Sequence, residues 1–135
     1  MLSRTTADRP TIKLQQLMAF AMSEEKVEKE YGEYLENPNR YLYLAKDEAF
    51  IGIELKSGSR CEIRHIAVTR NARNKGFGAE MIEEVIKFHH LQEIFAETDQ
   101  DAVGFYQKTG FKIKSLGEKY PGRERFYCAK TLPSK

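Results

Sequence analysis

Apolar positions along the chain fall into short blocks whose spacing switches between the periods of helix and strand. Ile12, Leu14, Leu17, Met18 and Met22 fit one helical face. Asp8-Arg9-Pro10 before them reads as the helix start, because proline is well tolerated in a first turn. Ser23 to Glu36 predicts a second helix. Its Ser23-Glu24-Glu25-Lys26 begins like a capping box, with lysine where the closing Glu or Gln belongs, and Asn37-Pro38-Asn39 ends it. The pattern then turns to alternation. Arg40 to Ala45 and Ala49 to Leu55 read as a hairpin through Lys46-Asp47, and Cys61 to Val68 follows Ser57-Gly58-Ser59 as a further strand. Phe77, Met81, Val85 and Phe88, backed by Ile82, Ile86 and His89, restore helical spacing over Phe77 to Leu91. A strand at Glu93 to Glu97, a short helix at Asp101 to Thr109 and a strand at Phe111 to Leu116 come next. A loop around Tyr120-Pro121-Gly122 leads to a last strand, Arg125 to Thr131. Leu2 to Thr6 can supply a first, short strand. Such mixing predicts an α/β sandwich built on a mixed sheet.

Length and composition narrow the picture. The 135 residues suit a single domain over residues 1–135, able to bury a core without disulfides or a structural metal. No repeat or low-complexity linker divides them. A net charge of +2 gives no broad basic field for nucleic acid or a membrane surface. The polar start, Met1 to Pro10, lacks a signal-like apolar run, and no run of membrane-spanning length occurs, so a cytoplasmic location is expected. Cys61 and Cys128 lie in alternating apolar stretches and read as small buried hydrophobes rather than as a disulfide or nucleophile. No His/Cys spacing suggests a metal site, and none is expected.

The candidate chemistry concentrates where Ile66-Ala67-Val68 runs through Thr69-Arg70-Asn71-Ala72-Arg73-Asn74-Lys75-Gly76-Phe77-Gly78 into the long amphipathic helix. A helix N-terminus offers unpaired N–H groups and partial positive charge, which suits phosphate. Gly76 and Gly78 lack Cβ atoms and so permit close approach and unusual backbone angles, while Arg70, Arg73 and Lys75 add charge. A Walker loop is excluded because no Gly-Lys-Ser/Thr occurs. A dinucleotide fingerprint is excluded because Met81 stands where its third glycine would be. A tight turn with solvated charges is the bland alternative.

In its context, Arg73-x-x-Gly76-x-Gly78 resembles the coenzyme A motif of the GNAT N-acetyltransferase superfamily. Asp99-Gln100-Asp101-Ala102-Val103-Gly104-Phe105-Tyr106-Gln107-Lys108-Thr109-Gly110-Phe111 resembles that family's second signature, with Asp99 where Asn is common. The resemblance implies a mixed, mostly antiparallel twisted sheet with helices on both faces, splayed between the strands at Cys61–Val68 and Glu93–Glu97. It implies acetyl-CoA as co-substrate, its pantetheine arm along Ile66, Ala67 and Val68, and its pyrophosphate on the amides of Arg73, Asn74, Lys75, Gly76, Phe77 and Gly78. Tyr106 would protonate the departing thiolate; a packing tyrosine is the alternative. Glu62 matches the general base of the histone-acetylating branch, yet it can simply pair with Arg60 or Arg64. His65 is the reserve base, because an unperturbed imidazole suits base work near neutrality. Strand alternation, however, places Glu62, Arg64 and Ile66 on one face and Cys61, Ile63 and His65 on the other, and a core or hydrogen-bonded histidine is the alternative.

The expected reaction is acetyl transfer to a primary amine of a small molecule or peptide, by direct attack in a ternary complex. The alternatives are a non-catalytic acetyl-CoA sensor and a protein-interaction domain. The acidic run Glu24, Glu25, Glu28, Glu30, Glu33 and Glu36 can attract a cationic amine or form a solvated helix face. Tyr31, Tyr34 and Glu118-Lys119-Tyr120 can line the acceptor cleft or cap the core. Oligomeric state is not encoded legibly, a homodimer being the commonest assembly.

Overall fold

A computed structural model describes residues 2–132. Seven strands form one sheet in the order β1-β2-β3-β4-β5-β7-β6. They are β1 (Ser3–Arg4), β2 (Arg40–Ala45), β3 (Ala49–Ser57), β4 (Arg60–Val68), β5 (Glu93–Asp99), β6 (Lys112–Tyr120) and β7 (Arg123–Thr131). All neighbours are antiparallel except β4 and β5, so the sheet is mixed as the element order predicts. Helices α1 (Ile12–Met18) and α2 (Glu24–Glu36) cover one face of the β2–β4 half, and α3 (Phe77–His89) and α4 (Val103–Lys108) lie against the other face. No helix among the described residues is long and apolar enough to cross a membrane.

Two hydrophobic clusters hold the layers together. Between the sheet and α3, Ile51, Ile53, Cys61, Met81, Ile82, Val85 and Ile94 are sealed from solvent. Between the sheet and α1–α2, Leu14, Leu17, Met18, Tyr31, Tyr34 and Phe50 form the second core. The first five residues of β3, Ala49 to Ile53, are buried on both faces, which explains their continuous apolar run. Burial of these side chains at roughly 25 cal/mol per Å² dominates the stability of both layers.

Several element boundaries differ from the sequence pattern, each for a local reason. Thr11, not the Asp8-Arg9-Pro10 segment, caps α1 by accepting a hydrogen bond from Leu14 N–H at 3.1 Å. The helix lasts only seven residues, so Ile12 in its first turn is exposed and Met22 lies beyond its end. Phe88 is half-exposed, because the last turn of α3 overhangs the core and the ring only leans on Tyr43. The expected loop before the last strand is a two-residue connection: Tyr120 pairs with Arg123, and Pro121-Gly122, with Gly122 at φ 76°, supplies the residue order a type II turn requires. Lys46 and Asp47 both adopt positive φ, which closes the predicted β2–β3 hairpin tightly. Ser23 precedes α2 without a side-chain capping bond, consistent with its incomplete box. Cys61 and Cys128 are free and fully buried, as read from their flanking pattern.

The face parity of β4 is the most consequential departure. Ile53 pairs with Ile63 and Gly52 with His65, so Arg64 is an extra residue in the ladder. This bulge turns His65 to the α2 face, the same face as Glu62 rather than the opposite one. Across the strand pair, at the same step of the ladder, the Tyr34 hydroxyl occupies the space a Cβ on residue 52 would fill, so only glycine fits there. The Tyr34 hydroxyl lies 2.6 Å from His65 Nδ1, and His65 Nε2 lies 3.8 Å from Glu30 Oε1. That arrangement puts the ring proton on Nε2, toward the carboxylate, and makes the phenol the donor to Nδ1. Buried Arg40 gathers Glu33 and Glu54, each at 2.9 Å, with Glu30 at 3.6 Å. Together these polar contacts pin α2 to the sheet. Tyr31 and Tyr34 thus belong to the core, and Glu24, Glu25, Glu28 and Glu36 form a solvated helix surface.

Burial, aided by the Arg64 guanidinium, lowers the His65 pKa from 6.5 to about 4. The unfolded chain therefore binds a proton that the folded chain refuses between those two values. Stability from this source is complete above the unfolded pKa and is lost as pH falls through the folded one, a difference of roughly 3 kcal/mol. His65→Gln keeps an acceptor for Tyr34 and removes the titration. Urea unfolding measured from about pH 7 down to about pH 4 is expected to lose this part of its slope in the variant.

Candidate active-site cleft

Pairing between β4 and β5 lasts for three residue pairs, Arg60 with Glu93, Cys61 with Ile94 and Glu62 with Phe95. Beyond them the strands separate: β4 continues to Val68 against β3, while β5 continues to Asp99 against β7. A wedge opens in the middle of the sheet. It widens into a cavity of about 960 Å³, near the upper end of the range for small-molecule sites.

The walls come from five elements. Ile63, Arg64, Ile66, Ala67 and Val68 form the β4 side, and Glu97, Thr98 and Asp99 the β5 side. Ala72, Arg73, Asn74, Gly76, Phe77, Gly78 and Ala79 bring in the loop and the first turn of α3, while Ala102, Phe105, Tyr106 and Thr109 bring in α4. Of the residues named from the sequence, Ile66, Ala67, Val68, Arg73, Asn74, Gly76, Phe77, Gly78 and Tyr106 are therefore gathered in one cavity. Lys75 and Glu62 are not among its lining residues.

The loop-to-helix junction has the features of an anion site. A short 3-10 turn, Arg70–Ala72, follows β4, and Asn74 at φ 65° and Gly76 at φ 84° bend the chain into α3. Gly76 is the N-cap and no side chain caps the helix, so its first N–H groups remain for solvent or a ligand. A Cβ on residue 76 would meet nothing within 4 Å, so glycine is needed there for its backbone angle. Gly78, which also lines the cavity, has a packing reason to be glycine. It is helical, and a Cβ there would stand 2.6 and 2.7 Å from two Phe105 ring atoms. Its missing side chain lets α3 and α4 touch across the cavity floor. Arg73 Nε donates to the Val68 carbonyl at 3.1 Å, and its guanidinium lies 5.9 Å from the centre of the exposed Phe20 ring.

Tyr106 is nearly buried, with its ring edge-on to Phe105 and Phe111 at 5.1 and 5.2 Å between centres. Burial raises its phenol pKa far above the ordinary range, so it keeps its proton at neutral pH. Gly110 at φ 91° ends α4, and Phe111 N–H bonds back to the Tyr106 carbonyl, fixing the ring's base. Asp99 accepts from the N–H groups of Asp101 and Ala102 at 3.0 and 3.1 Å, which orders the turn into α4. On the other side of the sheet's central strand, Glu62 lies 3.3 Å from both Lys56 Nζ and Arg64 Nη1. Glu118 is exposed on β6 and accepts from Gly122 N–H, while the side chains of Lys119 and Tyr120 lie outside the described ones. Among the described residues, no three His, Cys, Asp or Glu side chains gather to hold a metal ion.

Sequence reasoning missed Phe20, Ala21, Arg64, Glu97 and Arg125 as cleft residues. Phe20 and Ala21 lie just past the end of α1, where an apolar pair gave no periodic signal. Arg64 keeps the face that alternation gives it beside Glu62, and it lines the cleft because β5 pairing stops at Glu62, which no local pattern reveals.

A family profile described as an acetyltransferase (GNAT) domain matches residues 8–120. The chain belongs to the GNAT acetyltransferase family. Solved structures of like fold include an aminoglycoside 6'-N-acetyltransferase complexed with coenzyme A, at TM-score 0.80 and 20% identity over 100% of this chain and 98% of that one. An IAA acetyltransferase from Bacillus cereus has TM-score 0.72 and 18% identity, over 98% of this chain and 99% of that one. A family acetyltransferase from Elizabethkingia anophelis with acetyl-CoA bound has TM-score 0.69 and 19% identity, over 98% and 97% of the two chains. At these identities the likeness speaks to the fold. No curated protein matches the chain by sequence.

The two glycines can be separated by mutation. Gly78→Ala forces the added methyl into Phe105 and is expected to cost about 1–3 kcal/mol in urea unfolding, with much of the loss recovered by adding Phe105→Ala. Gly76→Ala imposes about 1–2 kcal/mol of left-handed strain, and Phe105→Ala leaves that loss in place.

Proposed function

We propose that this acetyltransferase domain binds acetyl-CoA in the splayed cleft and transfers its acetyl group to a primary amine by direct attack. One observation carries the reading: β4 and β5 part after Glu62 and Phe95, and the gap runs to the uncapped start of α3. The unpaired edges of the strands offer N–H and C=O groups to an amide-bearing chain such as pantetheine. The α3 N–H groups, with Arg73 beside them, suit a pyrophosphate. Coenzyme A or acetyl-CoA in solved relatives of the same fold supports this choice of co-substrate.

In the proposed reaction the amine lone pair attacks the thioester carbon. The C–N bond forms, the tetrahedral intermediate collapses, and the C–S bond breaks. Tyr106 donates its phenolic proton to the departing thiolate, a role suited to a phenol held protonated by burial. The amine's own proton passes through water to Glu62, which lies beyond the cleft wall beside Arg64. Cys61 is an unsuitable acyl carrier, since burial pushes its pKa up to about 12 and suppresses the nucleophilic thiolate.

Tyr106→Phe keeps the aromatic packing and removes the acid. Turnover read as free-thiol release is expected to fall about 10²- to 10⁴-fold, with calorimetric binding of acetyl-CoA retained. Unchanged turnover would remove the acid role, and absence of coenzyme binding by the wild type would remove the whole reading. Glu62→Gln is expected to lower kcat/KM most near neutral pH. The deficit shrinks as pH rises toward the amine pKa of ~10.4, where the acceptor needs no base. A deficit independent of pH would assign Glu62 a purely structural place.

A further inference from the structure

The charges at the mouth of the cleft identify the kind of amine that fits it, given the acyl-transfer reading above. Phe95 faces the same side of the sheet as Glu62, its parallel neighbour, and Glu97 and Asp99 follow at alternate positions of β5. Arg125 stands opposite Asp99 on β7 and therefore shares that face. Arg64, two residues beyond Glu62 and 3.3 Å from its carboxylate, shares that face as well. The charged side chains lining the cavity are Arg64, Arg73, Glu97, Asp99, Asp101 and Arg125, so cations and acids are equal in number.

The pairing of these groups is more telling than their number. Arg125 Nε is 3.6 Å from Glu97 Oε1, and Arg64 Nη1 is 3.3 Å from Glu62 Oε1. Asp99 is engaged by the N–H groups of Asp101 and Ala102. A cleft for a polycationic amine needs acids free of cationic partners. Among the described residues Asp99 and Asp101 have no guanidinium partner, but Arg64 and Arg125 line the same mouth. A polycation drawn to Glu62 or Glu97 would therefore have to displace a guanidinium and then remain beside it, a like-charge contact that works against binding. A guanidinium fork instead matches a carboxylate in two parallel hydrogen bonds, while the acid it leaves can take an ammonium.

We infer that the acceptor is a zwitterionic amine, an amino acid or peptide whose carboxylate docks on Arg64 or Arg125 at the cleft mouth. The exchange of partners keeps every charge compensated: carboxylate replaces carboxylate on the arginine, Glu97 released from Arg125 takes the ammonium, and Glu62 released from Arg64 keeps Lys56 at 3.3 Å. No buried charge is stranded, which is the condition for such a site to bind at all.

The test compares amino acids and short peptides with their carboxamides and with a polycationic aminosugar. Each is offered to the wild-type protein with acetyl-CoA, free-thiol release is recorded, and coenzyme binding is measured separately by calorimetry. The free acids are expected to exceed their carboxamides in kcat/KM by roughly 10- to 100-fold, the range for a lost hydrogen bond to a charged group. Arg64→Gln and Arg125→Gln are made singly and together, and in at least one of them the ratio is expected to collapse toward one through a raised KM for the acid. Acids and carboxamides used equally, a preference for the polycation, or a coenzyme-bound protein that ignores every acid-bearing amine would each overturn the inference alone. A protein that binds no coenzyme overturns the acyl-transfer reading as well.

Discussion

A parallel strand pair that fails after three residue pairs is the constraint from which the rest of this structure follows. Backbone N–H and C=O groups demand partners, and β4 beyond Glu62 finds them only on the β3 side. Closing the gap would restore those bonds, so something must keep the strands apart. On one side β5 is carried away by seven antiparallel pairs with β7. On the other, β4 is locked to β3 and anchored between two hydrophobic clusters. The wedge is held by the packing of its two halves, and the open edges are the consequence. In the proposed reaction those edges are also the reason a chain rich in amides can be held there with few side-chain contacts.

The second dependence runs from Gly52 to Arg64. Tyr34 reaches into the space over Gly52 and meets His65 at the step where the ladder has one extra residue. The extra residue is Arg64, which lines the cleft, and the side chain that changes face is His65, turned toward Tyr34. A bulge beside a site commonly re-aims a side chain in this way. The surrounding network is costly to bury, yet Arg40 has three carboxylates within reach and His65 stays neutral at ordinary pH. Polar burial of this type does little for net stability compared with apolar packing, and it fixes one arrangement of α2 over the sheet. Cleft geometry on the β4 side is thus set by residues that do not touch the cleft.

Much of the fold was legible in the sequence because period and punctuation agreed. The α3 face at Met81, Ile82 and Val85, the hairpin at Lys46-Asp47 and the stop at Gly110 are each fixed by local rules. The loop from Arg73 to Gly78 was legible for the same reason, since a positive φ before an uncapped helix calls for glycine. What escaped depended on distant partners. The role of Gly78 is set by Phe105, far along the chain, and the parity of His65 by Tyr34 on another element. Ile12 and Phe88 have the right spacing for burial, but no neighbour extends far enough to cover them. Periodicity tells which side chains share a face; whether anything lies on that face is tertiary.

The site also shows why a family resemblance leaves the acceptor open. In the proposed reading, the coenzyme end of the cleft is made of backbone N–H groups and a glycine, which many sequences can supply while keeping the same chemistry. The mouth is made of side chains, and there Arg64 and Arg125 turn what could have been an acidic lining into a balanced one. Solved structures of like fold, at about a fifth identity, speak to the fold and leave the side chains of the mouth to be read from this chain itself. In the proposed reaction, a guanidinium in a cleft that admits an ammonium is explained by an anionic group arriving with the amine. On that reading the charge that opposes a bare cation is also the charge that selects a zwitterion.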